Sequence, residues 1–204
     1  DALPISDTGR DRARRAVDQA RHGGDGWRCT HRGRGAVLGG GEIGQRIDRG
    51  ALAAVQAVFG TAFPAIEKWS ASSSKALGQS QLQALKAAQT FGVYGKAAGL
   101  ADGANLEFST GLAALSTDLA SFYNSTPEEA MQAIASGLRG ESEPLRTYGI
   151  LLDDATLRQK ALELGLISNT KNALTPQQRV LAAQASILEQ SSIAQGDFEK
   201  TSAG

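Results

Sequence analysis

Two tetrapeptides constrain the fold of this chain more than any other feature of its sequence: TPEE at 126–129 and TPQQ at 175–178. In each, a threonine can cap a helix, a proline fits the first helical position, and the third residue after the threonine is glutamate or glutamine. We therefore predict helices that begin at Pro127 and Pro176. The first helix is predicted to bury Met131, Ile134 and Leu138, and the second to run through Val180, Leu181, Ala185 and Leu188.

The whole stretch 51–204 follows the same pattern of short helical segments. The segments are rich in alanine, leucine and glutamine, contain few β-branched residues, and are separated by Gly, Pro, Ser and Asp. No part of the stretch alternates as a β-strand would. We predict an all-α fold, a compact array of about six helices after residue 50. The predicted segments cover residues 51–59, 63–77, 81 to about 100, 104–123, 127–139, a turn over 142–149, 153 or 154 to 164, and a last long helix from 176.

Apolar residues at helical spacing indicate the other faces that we expect to be buried. They are Phe63, Ile66, Trp69 and Ser70 in the second segment; Leu82, Leu85, Ala88, Phe91 and Val93 in the third; and Leu106, Leu112, Leu115, Leu119 and Phe122 in the fourth. Glycine favours the end of a helix, and the predicted stops are Gly78, Gly140, Gly149 and Gly165.

The first fifty residues do not have this pattern. They contain ten arginines, eleven glycines and no lysine, and they show neither helical nor strand periodicity. Such a stretch cannot bury enough apolar surface to offset the entropy lost on ordering it. We therefore divide the chain into a low-order Arg/Gly-rich segment, residues 1–50, and a helical segment, residues 51–204.

Three interpretations of residues 1–50 stay open: a disordered basic arm, a glycine-rich functional loop, and a stretch that is not natural protein. We favour the third. Residues 1–6, DALPIS, can be encoded by GACGCTCTTCCGATCT, the end of a common sequencing adapter. Arg-rich, Lys-free and Gly-rich sequence is also what a GC-rich gene yields in a wrong reading frame. On this hypothesis the segment is a frame-shift or adapter artefact, which the source nucleotide sequence would test.

Two weak motifs lie in this first segment. The stretch VLGGGEIG (residues 37–44) matches the GxGxxG fingerprint of dinucleotide-binding sites, but no full strand precedes it and no acid follows at the distance needed to bind a ribose. Cys29 with His22 and His31 would supply at most three zinc ligands at unsuitable spacing. We therefore predict no cofactor-binding site and no metal site.

Three pairs of acidic residues after residue 50 are the candidates for acid–base catalysis. All lie at helix starts or in a turn, where the helix dipole favours carboxylates without any catalytic role. No histidine follows residue 31 and no cysteine follows residue 29, so residues 51–204 cannot form a Ser/His or Cys/His site. We predict no catalytic residue. The pairs are Glu128 with Glu129, Glu141 with Glu143, and Asp153 with Asp154, and Arg139 and Arg146 are expected to form local ion pairs with the second.

Gly92, Gly95 and Gly99 lie on neighbouring faces of the helix that follows Ser80. Small residues at this spacing allow another helix to approach closely, and in a bilayer the same spacing forms the GxxxG motif. A conformationally weak segment is a third interpretation. Lys96 and the short apolar length argue against a membrane span, so we favour close helix packing or a kink.

Charge and hydropathy set only broad limits on function. The chain has 21 basic and 21 acidic residues, but residues 1–50 are basic and residues 51–204 are mildly acidic. Neither part has the concentrated basic field of a nucleic-acid-binding protein, so we predict no specific nucleic-acid binding. We find no apolar run of the ~18 residues that span a bilayer, and no signal peptide. These features predict a soluble protein.

Residues 118–166 resemble the tail tape-measure proteins of long-tailed bacteriophages and prophages. The similarity rests on the combination of LASFYNSTPEEA, IASGLRGESEPLRTYGI and LDDATLRQKALELG. Upstream, FPAIEKW and TFGVYGKAAGL resemble the same family, as does LTPQQRVLAAQASILEQSSIAQGDFEKTS downstream. The resemblance covers residues 51–204 and none of residues 1–50. Because the sequence stops within it, we expect a fragment of a longer protein.

The resemblance implies a structural and assembly role without enzymatic activity. Tape-measure proteins lie along the tail lumen while tube subunits polymerise around them, help to set tail length, and leave ahead of the DNA during injection. The implied partners are the tail tube protein, tail assembly chaperones and other copies of the same protein, with no small-molecule substrate and with membrane contact only during injection. The implied location is the tail lumen of the virion, and the host cytoplasm during assembly.

Two other classes of function compete with this interpretation. One is a small all-α hydrolase that acts on peptidoglycan through one of the acid pairs. The other is a membrane-active helical protein that inserts through the glycine-rich helix. Glycine and proline breaks favour a compact module within an otherwise elongated molecule over a continuous rod.

Overall fold

The computed structural model describes residues 49–202, which form eight α-helices and two 3-10 helices, with no β-strand in that range. This confirms the predicted all-α fold. The low-order segment predicted at residues 1–50 lies outside the described residues, apart from the two residues that begin the first helix. The α-helices are α1 (Arg49–Phe59), α2 (Phe63–Leu77), α3 (Gln81–Ala97), α4 (Asp102–Tyr123), α5 (Pro127–Arg139), α6 (Asp154–Glu163), α7 (Pro176–Gln190) and α8 (Asp197–Ser202). The 3-10 helices are Gly60–Ala62 and Glu143–Tyr148.

Both predicted capping boxes are present, and α3 has a third. The amide N–H of Glu129 donates to Thr126 Oγ1 at 3.2 Å, and the amide N–H of Thr126 donates back to Glu129 Oε2 at 2.9 Å. Thr175 and Gln178 make the same pair of bonds at the start of α7. At α3 the box joins Ser80 to Gln83. These local bonds satisfy amide groups that an uncapped helix would leave unpaired.

The main core is built around α4, which packs against α3 on one side and α5 on the other. α6 and α7 pack together, and α7 joins the core through α5. The buried side chains in the middle of this core are Phe91, Leu112, Leu119, Ile134 and Ile187, none of which is exposed. α4 is therefore the element that positions most of the others.

A second, smaller core attaches α1 and α2 to the rest of the molecule. It consists of Val55, Phe59, Ile66, Leu85 and Ala88, the last two of which belong to α3. Trp69 is partly buried against both cores. Because this cluster has only five fully buried members, α1 and α2 are held by far less apolar burial than the central helices.

Two residues that the sequence assigned to buried faces are exposed. Val93 is 52% exposed because it lies two residues after Phe91, about 200° around the helix, and so cannot share the buried face of Phe91. Phe122 is 43% exposed, whereas Tyr123 in the same turn packs against the main core. The last long predicted helix is α7, in which Val180 and Ile187 are buried and Leu181 and Ala185 are half-buried.

Candidate functional site

The glycines of α3 lie where two other helices approach it most closely. A Cβ atom on Gly92 would lie 2.6 Å from Val58 Cγ1 of α1. A Cβ atom on Gly95 would overlap the side-chain oxygen of Asn105 in α4. These contacts confirm close helix packing for both glycines. Gly99 has φ +74° and lies after the end of α3, so it forms the turn rather than a packing face.

Asn105 is a buried polar residue that no sequence pattern singles out. It is 1% exposed, and its side-chain Nδ2 donates to the carbonyl oxygen of Gly92 at 3.1 Å. The hydroxyl of Ser109 donates to the backbone oxygen of Asn105 at 2.6 Å. The hydrogen bond from Asn105 to Gly92 specifies how α4 packs on the glycine face of α3, because a buried amide without a hydrogen-bond partner would destabilise the fold.

The pair Glu128 and Glu129 begins α5. Glu129 completes the capping box, and the amide and hydroxyl of Thr126 hold its pKa below the usual range. Glu128 is exposed and accepts a hydrogen bond from Gln83 Nε2 at 3.2 Å. A general acid needs a raised pKa, so the shift at Glu129 is in the opposite direction.

The pair Asp153 and Asp154 begins α6. Asp153 caps the helix by accepting the amide N–H of Thr156 at 2.7 Å, which lowers its pKa. Asp154 forms ion pairs with Arg158 and, at 2.6 Å, with Arg179 of α7, and hydrogen bonds from both guanidinium groups lower its pKa. Asp153 therefore stabilises the start of α6, and Asp154 joins α6 to α7.

The pair Glu141 and Glu143 lies on an exposed turn. Glu141 pairs with Arg139 at 3.5 Å and Glu143 with Arg146 at 3.1 Å, as the sequence predicted. Their side chains are 66% and 80% exposed, so each ion pair contributes little to stability.

Asp102 connects the start of α4 to the junction between α1 and α2, a contact that the sequence did not predict. Its Oδ2 accepts hydrogen bonds from both the amide and the hydroxyl of Thr61 at 2.7 Å. Gly60 has φ +50° and a Cβ there would lie 3.0 Å from Asp102 Cγ, so this approach requires glycine. Lys96 Nζ adds a bond of 2.6 Å to the carbonyl oxygen of Ala57. Side chains of α3 and α4 thus anchor the apolar helix pair.

This anchor predicts a pH-dependent change at the junction. The side-chain hydrogen bond from Thr61 and then the backbone bond from Thr61 lower the pKa of Asp102 from 3.8. A depressed pKa means that the ionised form stabilises the fold above the ordinary pKa and that this stabilisation is lost as the pH falls through the lowered value. We expect the amide resonance of Thr61 in an NMR titration to shift with a midpoint below pH 3.8, and this transition to disappear in Asp102→Asn. A midpoint at or above 3.8 would contradict the anchor.

The stretch Arg49–Ser73 is the part of the described residues that is long and apolar enough to cross a membrane. It has 25 residues, and its most apolar 18 consecutive residues have a mean hydropathy of 1.3. Core helices of soluble proteins can have similar length and hydropathy, and Val55, Phe59 and Ile66 of this stretch are buried in the fold. This stretch corrects the prediction that no apolar run in the chain is long enough to span a bilayer. Gly60 and Thr61 interrupt its apolar sequence, but neither residue adds a charge.

The candidate metal and nucleotide motifs of the sequence lie before residue 49. No three His, Cys, Asp or Glu side chains in that range come together as metal ligands. Cys29, His22, His31 and the glycines of residues 37–44 lie outside the described residues.

No protein-family model, curated protein or solved structure matched this chain. The residues themselves are therefore the basis for proposing a function. They form capped helices around one main core, with an apolar helix pair anchored beside it by Asp102 and Lys96.

Proposed function

We propose that residues 51–204 form a structural module of a long phage-tail tape-measure protein, without enzymatic activity. The observation that carries this proposal is where the family-like motifs fall in the fold. STPEEA holds the capping box of α5, and DDATLRQK holds the cap and ion pairs of α6. The residues that carry the resemblance are thus those that hold helices together, as expected of a module whose function is its shape.

The proposed role is to lie in the tail lumen while tube subunits polymerise, and to leave ahead of the DNA. The proposed partners are the tail tube protein, tail assembly chaperones and other copies of the protein. Leu151 and Ile193 are apolar residues available for such contacts, 58% and 68% exposed. Gln190 of α7 holds the backbone of Leu151 through two bonds of 2.8 and 3.0 Å, so this exposed side chain has a rigid base.

A folded module and a continuous rod make different contributions to tail length. As one straight helix, roughly 150 residues at ~1.5 Å each would measure ~230 Å. Folded into packed helices, the same residues span a fraction of that length. We therefore expect in-frame deletion of residues 51–204 from the full gene to shorten the tail by much less than ~230 Å, as measured by electron microscopy of assembled tails.

The control replaces the same residues with an uninterrupted helical spacer of equal length. That replacement should lengthen the tail relative to the parent, because the spacer adds its full rise per residue. Tails of unchanged length in both variants would overturn the proposed contribution to tail length. Shortening by the full length of a straight helix would instead show that the module unfolds during assembly.

A membrane-active role is the second candidate, and the length and hydropathy of the stretch Arg49–Ser73 favour it. We expect Trp69, in a Trp27→Phe background, to shift its fluorescence to shorter wavelength when anionic phospholipid vesicles are added. Ala65→Lys should abolish this shift, because Ala65 is exposed in the fold and a lysine at mid-membrane costs about 2.5–3.5 kcal/mol.

The matched control is Ala155→Lys, which adds the same charge at an exposed position of α6. It should leave the vesicle-induced shift intact. Absence of any shift in the Trp27→Phe protein, or an equal loss in both lysine variants, would rule out insertion through this stretch.

A further inference from the structure

The short helix α8 lies against α4 and α2. The two oxygens of the Asp118 carboxylate accept the amide N–H groups of Gly196 at 2.9 Å and of Phe198 at 3.3 Å. The hydroxyl of Ser121 donates to Asp197 Oδ2 at 2.7 Å. Two side chains of α4 thus bind three consecutive residues, 196–198, at the start of α8.

The aromatic ring of Phe198 packs against Gly78, the residue that ends α2. A Cβ atom on Gly78 would lie 2.7 Å from Phe198 Cζ, so a larger residue at position 78 would displace the ring. Gly196 has φ +74°, a conformation that glycine adopts without strain. We call Gly78, Asp118 and Ser121 the α8-binding surface. Its contacts match a glycine, an aspartate and a phenylalanine in that order.

α8 can leave this surface without opening either core. None of its six residues is buried, and Phe198 belongs to neither the main core nor the smaller one. Ala194, two residues before Gly196, is fully buried in the main core and fixes the point from which α8 would move. Elements with little buried apolar surface open at a lower free energy than the whole fold does. We therefore expect α8 to detach locally while the main core persists.

We propose that the α8-binding surface is an interaction site for a second copy of this chain, which occupies it with its own residues 196–198. The argument for this occupant is that the identical segment already lies there, with two backbone donors and an aromatic ring in contact. When α8 detaches, Asp118 loses both amide donors and Gly78 loses the ring, and a neighbouring α8 restores these contacts. The site names a surface for the contact with other copies in the proposed function, but it rests on the geometry of α8 alone.

The test uses two complementary variants of the full chain. Phe198→Ala keeps the α8-binding surface and weakens the segment that occupies it, whereas Asp118→Ala keeps the segment and removes its main acceptor. We expect an equimolar mixture to form a one-to-one complex in analytical ultracentrifugation, since α8 of the Asp118→Ala chain fits the surface of the Phe198→Ala chain. Each variant alone should associate at least about tenfold more weakly, because it lacks one half of the contact.

Glu107→Ala is the matched control, because it removes a carboxylate from an exposed position of α4 and leaves Asp118 in place. Mixed with Phe198→Ala, it should form much less complex than Asp118→Ala does, since its own α8 stays bound. Equal complex formation with Glu107→Ala would overturn the proposal, because the chains would then associate through another surface.

A synthetic peptide of residues 194–202, AQGDFEKTS, tests the surface without relying on the Asp118 variant. Labelled with fluorescein, it should bind the Phe198→Ala chain saturably in fluorescence anisotropy. Binding to the parent chain should be at least about tenfold weaker, because the parent's own α8 competes for the surface. Absence of saturable binding to Phe198→Ala, or equal affinity for the parent, would overturn the binding site. Peptide binding without a complex in the mixture of variants would overturn the second copy as its occupant. None of these results changes the expected tail lengths, so a failure here is distinguishable from a failure of the structural role.

Discussion

Gly95→Ala is expected to lower the free energy of unfolding by roughly 2–4 kcal/mol, from forced repacking together with damage to a buried amide bond. The added methyl group would overlap the side-chain oxygen of Asn105 and lie 3.2 Å from Phe108 Cδ1. To make room, Asn105 would have to move and give up its hydrogen bond to Gly92. Urea denaturation followed by circular dichroism measures the change.

The chain supplies a matched control for this substitution at Gly111, in the middle of α4. Nothing lies within 4 Å of the position that its Cβ would occupy. Gly111→Ala should therefore stabilise the protein by about 0.5–1 kcal/mol, because alanine loses less backbone entropy in a helix than glycine does. If both alanines stabilised the protein, α3 and α4 would not be in the close contact described here.

A double-mutant cycle identifies Asn105 as the cause. In an Asn105→Ala background the Cβ of residue 95 no longer meets a side-chain amide, so Gly95→Ala should cost clearly less than in the parent. An identical cost in both backgrounds would assign the strain to another neighbour, such as Phe108.

Phe91→Ala is expected to lower the free energy of unfolding by about 3–5 kcal/mol. Phe91 is fully buried in the main core, and its truncation leaves a cavity that the packed helices cannot close. Val93→Ala, two residues further along α3, should change the free energy of unfolding by less than about 0.5 kcal/mol because Val93 is half-exposed. Comparable losses in the two variants would mean that α3 is rotated from the position described here.

Helix boundaries were predictable from the sequence because the signals that set them are local. Thr126 and Thr175 are each bonded to residues three positions away, so a tetrapeptide contains the whole interaction. The roles of Glu129 and Asp153 could be predicted for the same reason. Gly78 and Gly140 end helices with positive φ, a conformation that few other residues adopt easily.

Contacts between distant residues could not be predicted in this way. The bond from Thr61 to Asp102 spans 41 positions, and no spacing rule connects such residues. Asn105 is an ordinary helix residue in the sequence and becomes a packing determinant only because Gly92 lies against it. The exposure of Phe122 likewise depends on which distant residues pack beside the last turn of α4.

The hydrogen bonds of Asp118 have a further consequence for the folding of a newly synthesised chain. Its carboxylate accepts the amide N–H groups of Gly196 and Phe198, which are 78 and 80 positions later in the chain. Because the ribosome adds about 5–20 residues per second, several seconds pass between the synthesis of Asp118 and that of Gly196 and Phe198. During that interval α8 of a neighbouring chain offers the same donors, which is the condition for domain swapping. Crowded polysomes should therefore yield more exchanged dimers than dilute refolding does.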